Sequence, residues 1–515
     1  MSATTTIPVS IITPDTVETT RLGTFEFPSG VPTADTAKRI YDHLDFVHGV
    51  EAFMNSLSGG SMFAIRQGFL GVGVDDNQVL VFPELMDSAS LFLTANCDTV
   101  YFWSFLDLTQ APVVMEVPAP KSGILGTIDD MWFRWVTDFG LPGPDRGQGG
   151  KYLLVGPGYE GPLPDGGYYV SHARTTRVCV IGRAFMVDND PAPAVEAIKS
   201  GFRIYPYAPG ASGTAVASFL HGQASLTGVT APSETKFIDG VDLQMNTLPP
   251  NDFSYWETIH ALVQEEPVEA GDPEILGQLA AIGISKGQPF APDERMRAIL
   301  DEAAAVGNAT ARTLFIAPRE SEGMAYYPGS GWVNMLFVGG YEFMTPPPEI
   351  TPEGVQQSPS DGARKLNARI NFFHGVTGIT PAMCMRLTGI GSQYVMASYD
   401  ANGEFFDGGK NYRVNLPADV PESRFWSLIA YDVQTRSMLQ SEQLMPRVGS
   451  QSGTVEQNAD GSTDVYFGPE APAGKEHNWI QTVPGKKWFT ILRLYNPLQP
   501  FFDKTWRPSE IEVVS

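Results

Sequence analysis

Two long blocks of this chain break into short apolar runs separated by Pro, Gly and Asp, and that punctuation constrains the fold more than any other feature. Between about residues 75 and 235 the runs are Val79–Phe82, Ser90–Thr94, Pro112–Val117, Tyr152–Val155, Tyr168–Val170 and Arg177–Ile181. Each is too short for a stable helix and is bounded by turn residues, the signature of strands in an all-β unit. The pattern returns between 390 and 515 in Tyr394–Tyr399, Tyr412–Val414, Phe425–Val433, Thr463–Phe467 and Lys487–Tyr495. The turns there carry hairpin chemistry: Asp400-Ala401-Asn402-Gly403, Asp407-Gly408-Gly409 and Asn458-Ala459-Asp460-Gly461. No strand–helix alternation of the parallel α/β kind runs through either block.

The intervening residues differ. Pro267–Gly277, Pro292–Gly307 and Asn308–Phe315 are rich in helix formers, with Pro292-Asp293-Glu294 starting one helix and Gly307 ending it. Upstream, Thr33 or Asp35 can cap a helix whose apolar positions are Ile40, Leu44, Val47, Val50 and Phe53, with Gly59-Gly60 as its end. A further helix is expected from about Asp361 to Phe373, stopped by Gly375. A chain of 515 residues exceeds one ordinary core. The predicted fold is mainly β (α+β), with two antiparallel β-sandwich, jelly-roll-like domains joined by a helical connector. The boundaries are 1–20 for a loose arm, 21–235 for a helix plus first sandwich, 236–345 for the connector and 346–515 for the second sandwich.

Charge excludes several functions. The chain has 34 Lys+Arg against 58 Asp+Glu, a net charge of −24, which repels nucleic acid and anionic lipid. No apolar run approaches the roughly 20 residues needed to span a bilayer. The first 20 residues lack the basic and apolar regions of a signal peptide. The expectation is a soluble, cytoplasmic protein with no nucleic-acid or membrane partner, compatible with a homo-oligomer. Cys97, Cys179 and Cys384 show no ligand spacing and read as buried reduced thiols. His43, His48, His172, His221, His260, His374 and His477 form no metal pattern, so no metal or other cofactor is expected.

Three motifs resemble functional sites and are better explained as structure. Gly283-Ile284-Ser285-Lys286-Gly287 matches G-x-S-x-G, but helical residues precede it and no helix follows, whereas a nucleophile elbow joins a strand to a helix. Asp400, Asn402 and Glu404 resemble the opening of a calcium loop, yet strands flank them and Asn-Gly is a hairpin signal. Gly140–Gly158 is glycine-rich without the helix start that a phosphate cradle needs.

Two acidic-aromatic constellations remain. The first contains Asp98 and Tyr101, then Asp107, Asp129, Trp132 and Arg134. On a strand, Asp98 and Val100 would share one face, and desolvation of the carboxyl would suit general acid–base work. The competing account is a buried Asp that caps a turn. The second contains Trp426, Ser427 and Tyr431 with Arg493 and Tyr495. Alternation puts Ser427, Ile429 and Tyr431 on one face, and Arg493 and Tyr495 on one face of their own strand. Such a cluster lines a small-molecule pocket or fills a core.

The stretch LTANCDTVYFWSFLDL (93–108), with APVVMEVP, Asp130–Trp132 and GGKYLLVGPGYEG, resembles domain-of-unknown-function family 1254. Tyr399, FWSLIAYD, NADGS, NWIQTVPG, LRLYNP and TWRPSEI resemble its usual partner, family 1214, and IGISKGQPFAPD resembles the connector. The resemblance implies two β-sandwich-type domains with a helical insert and no assigned reaction. Ala95 and Cys97 depart from the family pattern, where Pro and Asn are expected.

Two functions follow from the residues. One is a hydrolase for a small organic ester, amide or glycoside, with Asp98, Tyr101 and Asp129 catalytic and Trp132, Arg134, Arg183, Trp426 and Tyr431 binding substrate. The other is a small-molecule binding module, or a structural protein, without catalysis.

Overall fold

The computed structural model describes residues 5–118, 123–208, 234–351 and 354–514. Of the histidines noted above, His221 lies outside the described residues. Helix and strand contents are comparable, so the architecture is α+β rather than mainly β.

In the N-terminal half a six-stranded sheet runs in the order 237–239, 79–81, 100–107, 177–184, 124–130 and 135–139. A four-stranded sheet, 203–206, 113–117, 150–155 and 169–172, packs against one face of it. Val79, Val100, Phe102, Val178 and Val180 from the first sheet meet Met115, Tyr152 and Leu154 from the second. The C-terminal half repeats the arrangement with 392–397, 488–497, 422–432 and 447–449 against 479–481, 463–468, 411–416 and 512–514. Val395, Trp426, Leu428 and Leu492 there meet Val414, Val465 and Phe467.

Pairing is not wholly antiparallel. The strand 237–239 runs parallel to 79–81, 169–172 to 150–155, and 479–481 to 463–468. A parallel neighbour needs a crossover longer than a hairpin, and residues 156–168 and 469–478 supply two of them. Within the expected strands, Ser90–Thr94 forms only an isolated bridge at Leu91.

The helices form a layer rather than a spacer. Ala34–Asn55 packs on Glu294–Ile316, Leu57–Gly71 packs on Ser254–Glu265, and Leu366–Gly375 touches both pairs. Thr33 caps the first helix through its hydroxyl, which accepts from the Thr36 amide, and Asp293 caps Glu294–Ile316 in the same way. The glycines expected to end helices lie inside them. Gly59 and Gly60 fall within Leu57–Gly71, and Gly307 falls within Glu294–Ile316. Their role is contact: a Cβ on Gly59 would sit 2.8 Å from the Trp132 ring, one on Gly60 2.8 Å from Tyr255, and one on Gly307 2.7 Å from Phe53. Close helix packing outweighs the roughly 1 kcal/mol propensity cost of each glycine.

The largest apolar cluster joins this helical layer to the outer faces of both main sheets, from Phe53 and Trp256 through Trp103 to Ile429 and Ile491. The two halves therefore face each other sheet to sheet, with helices closing one side.

Candidate functional site

Period-two alternation decides what each sheet presents to the other. On 100–107, Val100, Phe102 and Leu106 point into the N-terminal core, which leaves Tyr101 and Trp103 on the outer face. The register sets Arg183 opposite Tyr101 and Ile181 opposite Trp103. On the facing sheet, Val395, Leu492 and Leu494 belong to the C-terminal core, so Tyr394, Met396, Ile491 and Arg493 project the other way. Tyr394 stands opposite Arg493 in that register. Two cross-strand Arg–Tyr pairs, one from each domain, thus look into the same space.

That space is a cavity of about 480 Å³ between the domains, within the range of small-molecule sites. Its wall is mostly apolar, including Trp103, Ile181, Met335, Phe372 and Ile491. Asn96, Tyr101, Arg183, Tyr394 and Arg493 supply the polar part on one side, and Asp138 with Thr380 on another. Arg183 donates to Ser392 Oγ at 3.2 Å. Burial pushes the Tyr101 phenol up despite the neighbouring Arg183 charge, so the hydroxyl keeps its proton. Burial likewise raises the Asp138 carboxyl, against the hydrogen bonds it accepts from Thr380 Oγ1 at 2.6 Å and Trp135 Nε1 at 3.1 Å.

Asp98 stands one residue behind this wall. The strand begins at Val100, so Asp98 sits in the preceding bend and does not share a strand face with Val100. Its carboxylate is 0% exposed and is held by the opposite domain. Ser427 Oγ donates to Oδ2 at 2.5 Å, Tyr495 OH donates to Oδ2 at 2.9 Å and Arg447 Nη1 donates to Oδ1 at 3.0 Å. Gln451 donates to its carbonyl at 3.0 Å, and Asn96 Oδ1 accepts its amide at 2.7 Å. Asn96 Nδ2 also donates to Tyr495 OH at 2.5 Å, which links the cavity wall to the carboxylate behind it.

Next to this clamp, Tyr431 OH donates to the Ala95 carbonyl at 2.6 Å and accepts from Arg493 Nη1 at 2.5 Å. Arg493 Nη2 donates to the Thr94 carbonyl at 2.9 Å, while its buried Nε has no partner among the described residues. Thr94 has φ 44°, left-handed backbone that a β-branched residue rarely adopts, and its carbonyl accepts the bond from Arg493. The alternation expected for Ser427, Ile429 and Tyr431, and for Arg493 and Tyr495, places these groups as described.

The remaining expected site residues lie elsewhere. Asp129 is 0% exposed, opposite Cys179, and its Oδ2 accepts the Ile379 amide at 3.0 Å while Oδ1 has no partner among the described residues. Burial pushes this carboxyl well above the usual range, and Asp138 and Asp130 push it further. Trp132 packs against Gly59 at the helical layer. Arg134 pairs with Asp130 at 2.8 Å and donates to the Ala270 carbonyl, a tie between turn and helix. Trp426 belongs to the C-terminal core. Of the eight residues, Tyr101 and Arg183 line the cavity, Asp98 and Tyr431 support its wall, and Asp129, Trp132, Arg134 and Trp426 are outside its lining.

Tyr394, Arg447, Asp138 and Thr380 escaped the sequence reading. Tyr394 was reachable, since it alternates with Met396 against the core residues Val395 and Ala397. Arg447 lies on a three-residue strand, too short for a period to register.

Two of the three motifs set aside from the sequence have the local structure expected for them. Gly283–Gly287 is a turn after the helix Pro273–Ala281, not an elbow between strand and helix. Asp400 Oδ1 accepts the Asn402 and Glu404 amides at 2.8 and 3.1 Å, closing a turn bridged by Tyr399 and Phe405. Among the described residues no group of three or more His, Cys, Asp or Glu is placed to hold a metal ion. No helix among them is long and apolar enough to cross a membrane.

Fold and site together define an α+β protein with two paired-sheet halves, whose facing surfaces enclose a mostly apolar cavity backed by a buried polar clamp. Residues 77–206 match the family model described as "Protein of unknown function (DUF1254)", and residues 391–499 match that described as "Protein of unknown function (DUF1214)". The chain carries this pair in the N-terminal and C-terminal order that its sequence resembles. The VPA0106 protein from Vibrio parahaemolyticus has a similar crystal structure at 16% identity and a TM-score of 0.49, covering 92% of this chain and 100% of that one. A putative uncharacterized protein from Burkholderia cenocepacia is similar at 12% identity and a TM-score of 0.37, covering 94% of this chain and 97% of that one. No curated protein matches the chain.

Proposed function

We propose that the protein binds a small, largely apolar organic molecule in the cavity between its two halves. The observation that carries this reading is the division of the wall. Aliphatic and aromatic side chains make up most of it, and a few polar groups from both domains converge on one part, the pattern of sites that fix the orientation of a ligand. A reducing, cytoplasmic setting accords with it, because Cys97, Cys179 and Cys384 are all free and buried. Thermal-shift measurement with a panel of small aliphatic and aromatic compounds tests the reading, alongside Ile181→Trp, which fills the cavity. Melting should rise with some members in the wild type and with none in the variant. No rise with any member, or the same rise in both proteins, would overturn it.

A second reading is hydrolysis of a small ester, amide or glycoside by Asp/Tyr acid–base chemistry. It is favoured by one observation: the protonated Tyr101 phenol and the raised carboxyl of Asp138, next to the Thr380 hydroxyl, line the same cavity. In this reading Tyr101 donates the proton, Asp138 is the acid–base group, and Asp98 acts through the wall rather than on substrate. Assays with chromogenic esters and glycosides should show turnover that Tyr101→Phe removes. An unchanged rate in that variant would exclude Tyr101 as donor.

A further inference from the structure

Two guanidiniums at the polar part of the cavity, and a third beside it, have no carboxylate partner among the described residues. Arg183 and Arg493 line the cavity, and Arg424 stands beside them with its Cζ 3.7 Å from the Phe185 ring centroid. The Arg183 Cζ lies 5.5 Å from that same ring. Among the described residues none of the three forms an ion pair. Their contacts are hydroxyls, carbonyls and rings: Ser392 for Arg183, and Tyr431 and the Thr94 carbonyl for Arg493. The acids nearby are committed elsewhere. Asp98 is taken by Arg447, Ser427 and Tyr495. Glu422 accepts the main-chain amide of Arg424. Asp138 lies two strands across the sheet from Ile181, bonded to Thr380. Partial burial, and after it the neighbouring Arg183 charge, depresses the Arg424 guanidinium.

Arg493 is buried and Arg183 half-buried, and a guanidinium so placed is costly unless an anion completes it, while the exposed Arg424 adds a like charge beside Arg183. Resting on the cavity reading above, we infer that the ligand is an amphiphilic monocarboxylate, its apolar body in the cavity and its head group against Arg183 and Arg424. Guanidinium presents a planar fork that matches a carboxylate, and the Tyr101 phenol adds a neutral donor. The few polar groups on the wall suit a single small head group on a long apolar body rather than a polyanion.

Calorimetric titration with octanoate, octanamide and octanol tests this, since the three share one apolar body. Octanoate should bind about tenfold to a hundredfold more tightly than octanamide, the gain of a charge-assisted pair. In Arg183→Gln and Arg424→Gln the ratio of octanoate to octanamide affinity should fall towards one. Arg424 is exposed, so its variant remains informative if Arg183→Gln fails to fold. Octanamide or octanol binding as tightly as octanoate would overturn the carboxylate assignment and leave the cavity reading standing. A preference that survives in the Arg424→Gln and Arg183→Gln proteins would place the anion elsewhere and equally overturn it. Binding of none of the three would remove both.

Discussion

Replacing Asp98 with Asn keeps the shape of the side chain and removes only its charge and one acceptor, so the outcome separates a reacting group from a clamp. The carboxylate accepts three bonds across the domain boundary, from Ser427 at 2.5 Å, Tyr495 at 2.9 Å and Arg447 at 3.0 Å. An amide has one oxygen for these three donors. Its NH2 can face Ser427 and Tyr495, whose hydroxyls can turn to accept, but it cannot face Arg447, which has no acceptor. The hydroxyl bonds are thus partly recovered and the ion pair is not. Removing one partner of a buried pair costs about 3–5 kcal/mol, and Arg447 is only 17% exposed. The expected loss is about 3 kcal/mol, the low end, because the hydroxyls adjust. Urea unfolding followed by tryptophan fluorescence and far-UV circular dichroism reads this loss. The two probes should separate in the variant, as the halves uncouple before either unfolds. Adding Arg447→Met to Asp98→Asn should recover about 1–2 kcal/mol, since no guanidinium is then left unpaired. A loss below about 1 kcal/mol, or a double variant less stable than the single by the full cost of Arg447→Met, would refute the clamp.

Asp129→Asn should stabilise the protein at neutral pH. Its carboxyl is raised by burial, so the folded state holds a proton that the unfolded chain releases, and stability falls as pH rises above about 4, the usual carboxyl value. The gain from Asn should therefore vanish near pH 4 and grow towards pH 7 in unfolding measurements; a gain independent of pH would contradict it. Gly307→Ala sets about 1 kcal/mol of helix propensity against a Cβ placed 2.7 Å from Phe53, and overpacking of about 1–3 kcal/mol should win, lowering the melting temperature. Chelation with EDTA should leave melting unchanged, because two main-chain amides already occupy Asp400 Oδ1 and close the turn; a fall in melting that calcium restores would reverse the assignment of that turn.

What could be read from the sequence follows the range of the interactions involved. Hairpin turns are local, so Asp400–Gly403 and Asn458–Gly461 were legible and close with the expected bonds. Alternation is local too, and it placed Ser427 with Tyr431 and Arg493 with Tyr495 on shared faces. Glycine was misread where its reason is distant. Gly59 and Gly307 look like helix ends by propensity, yet the rings that need their space belong to Trp132 and Phe53, outside their own helices. The parallel pair 79–81 with 237–239 was missed for the same reason, since its partner follows every other strand of that half, whereas the other two parallel pairs join near neighbours that turn signals alone do not orient.

Asp98 is the sharpest case, because its residue type was singled out for a property that its partners then changed. An Asp in an apolar stretch suggests an unpaired acid when only its neighbours in sequence are visible. The residues that decide its state are 329 to 397 positions away and belong to the other domain. This also gives a physical reason for the pairing of the two domains in one chain. Without the second half, the first would have to bury a carboxylate with no counter-charge or leave it in water, and the second would have Arg447 without its partner. Docking resolves both at once, and it is the same docking that encloses the cavity: Tyr495 bonds Asp98 on one side and Asn96 of the cavity wall on the other. A site assembled in this way requires both halves, and its chemistry is set at their boundary rather than within either one.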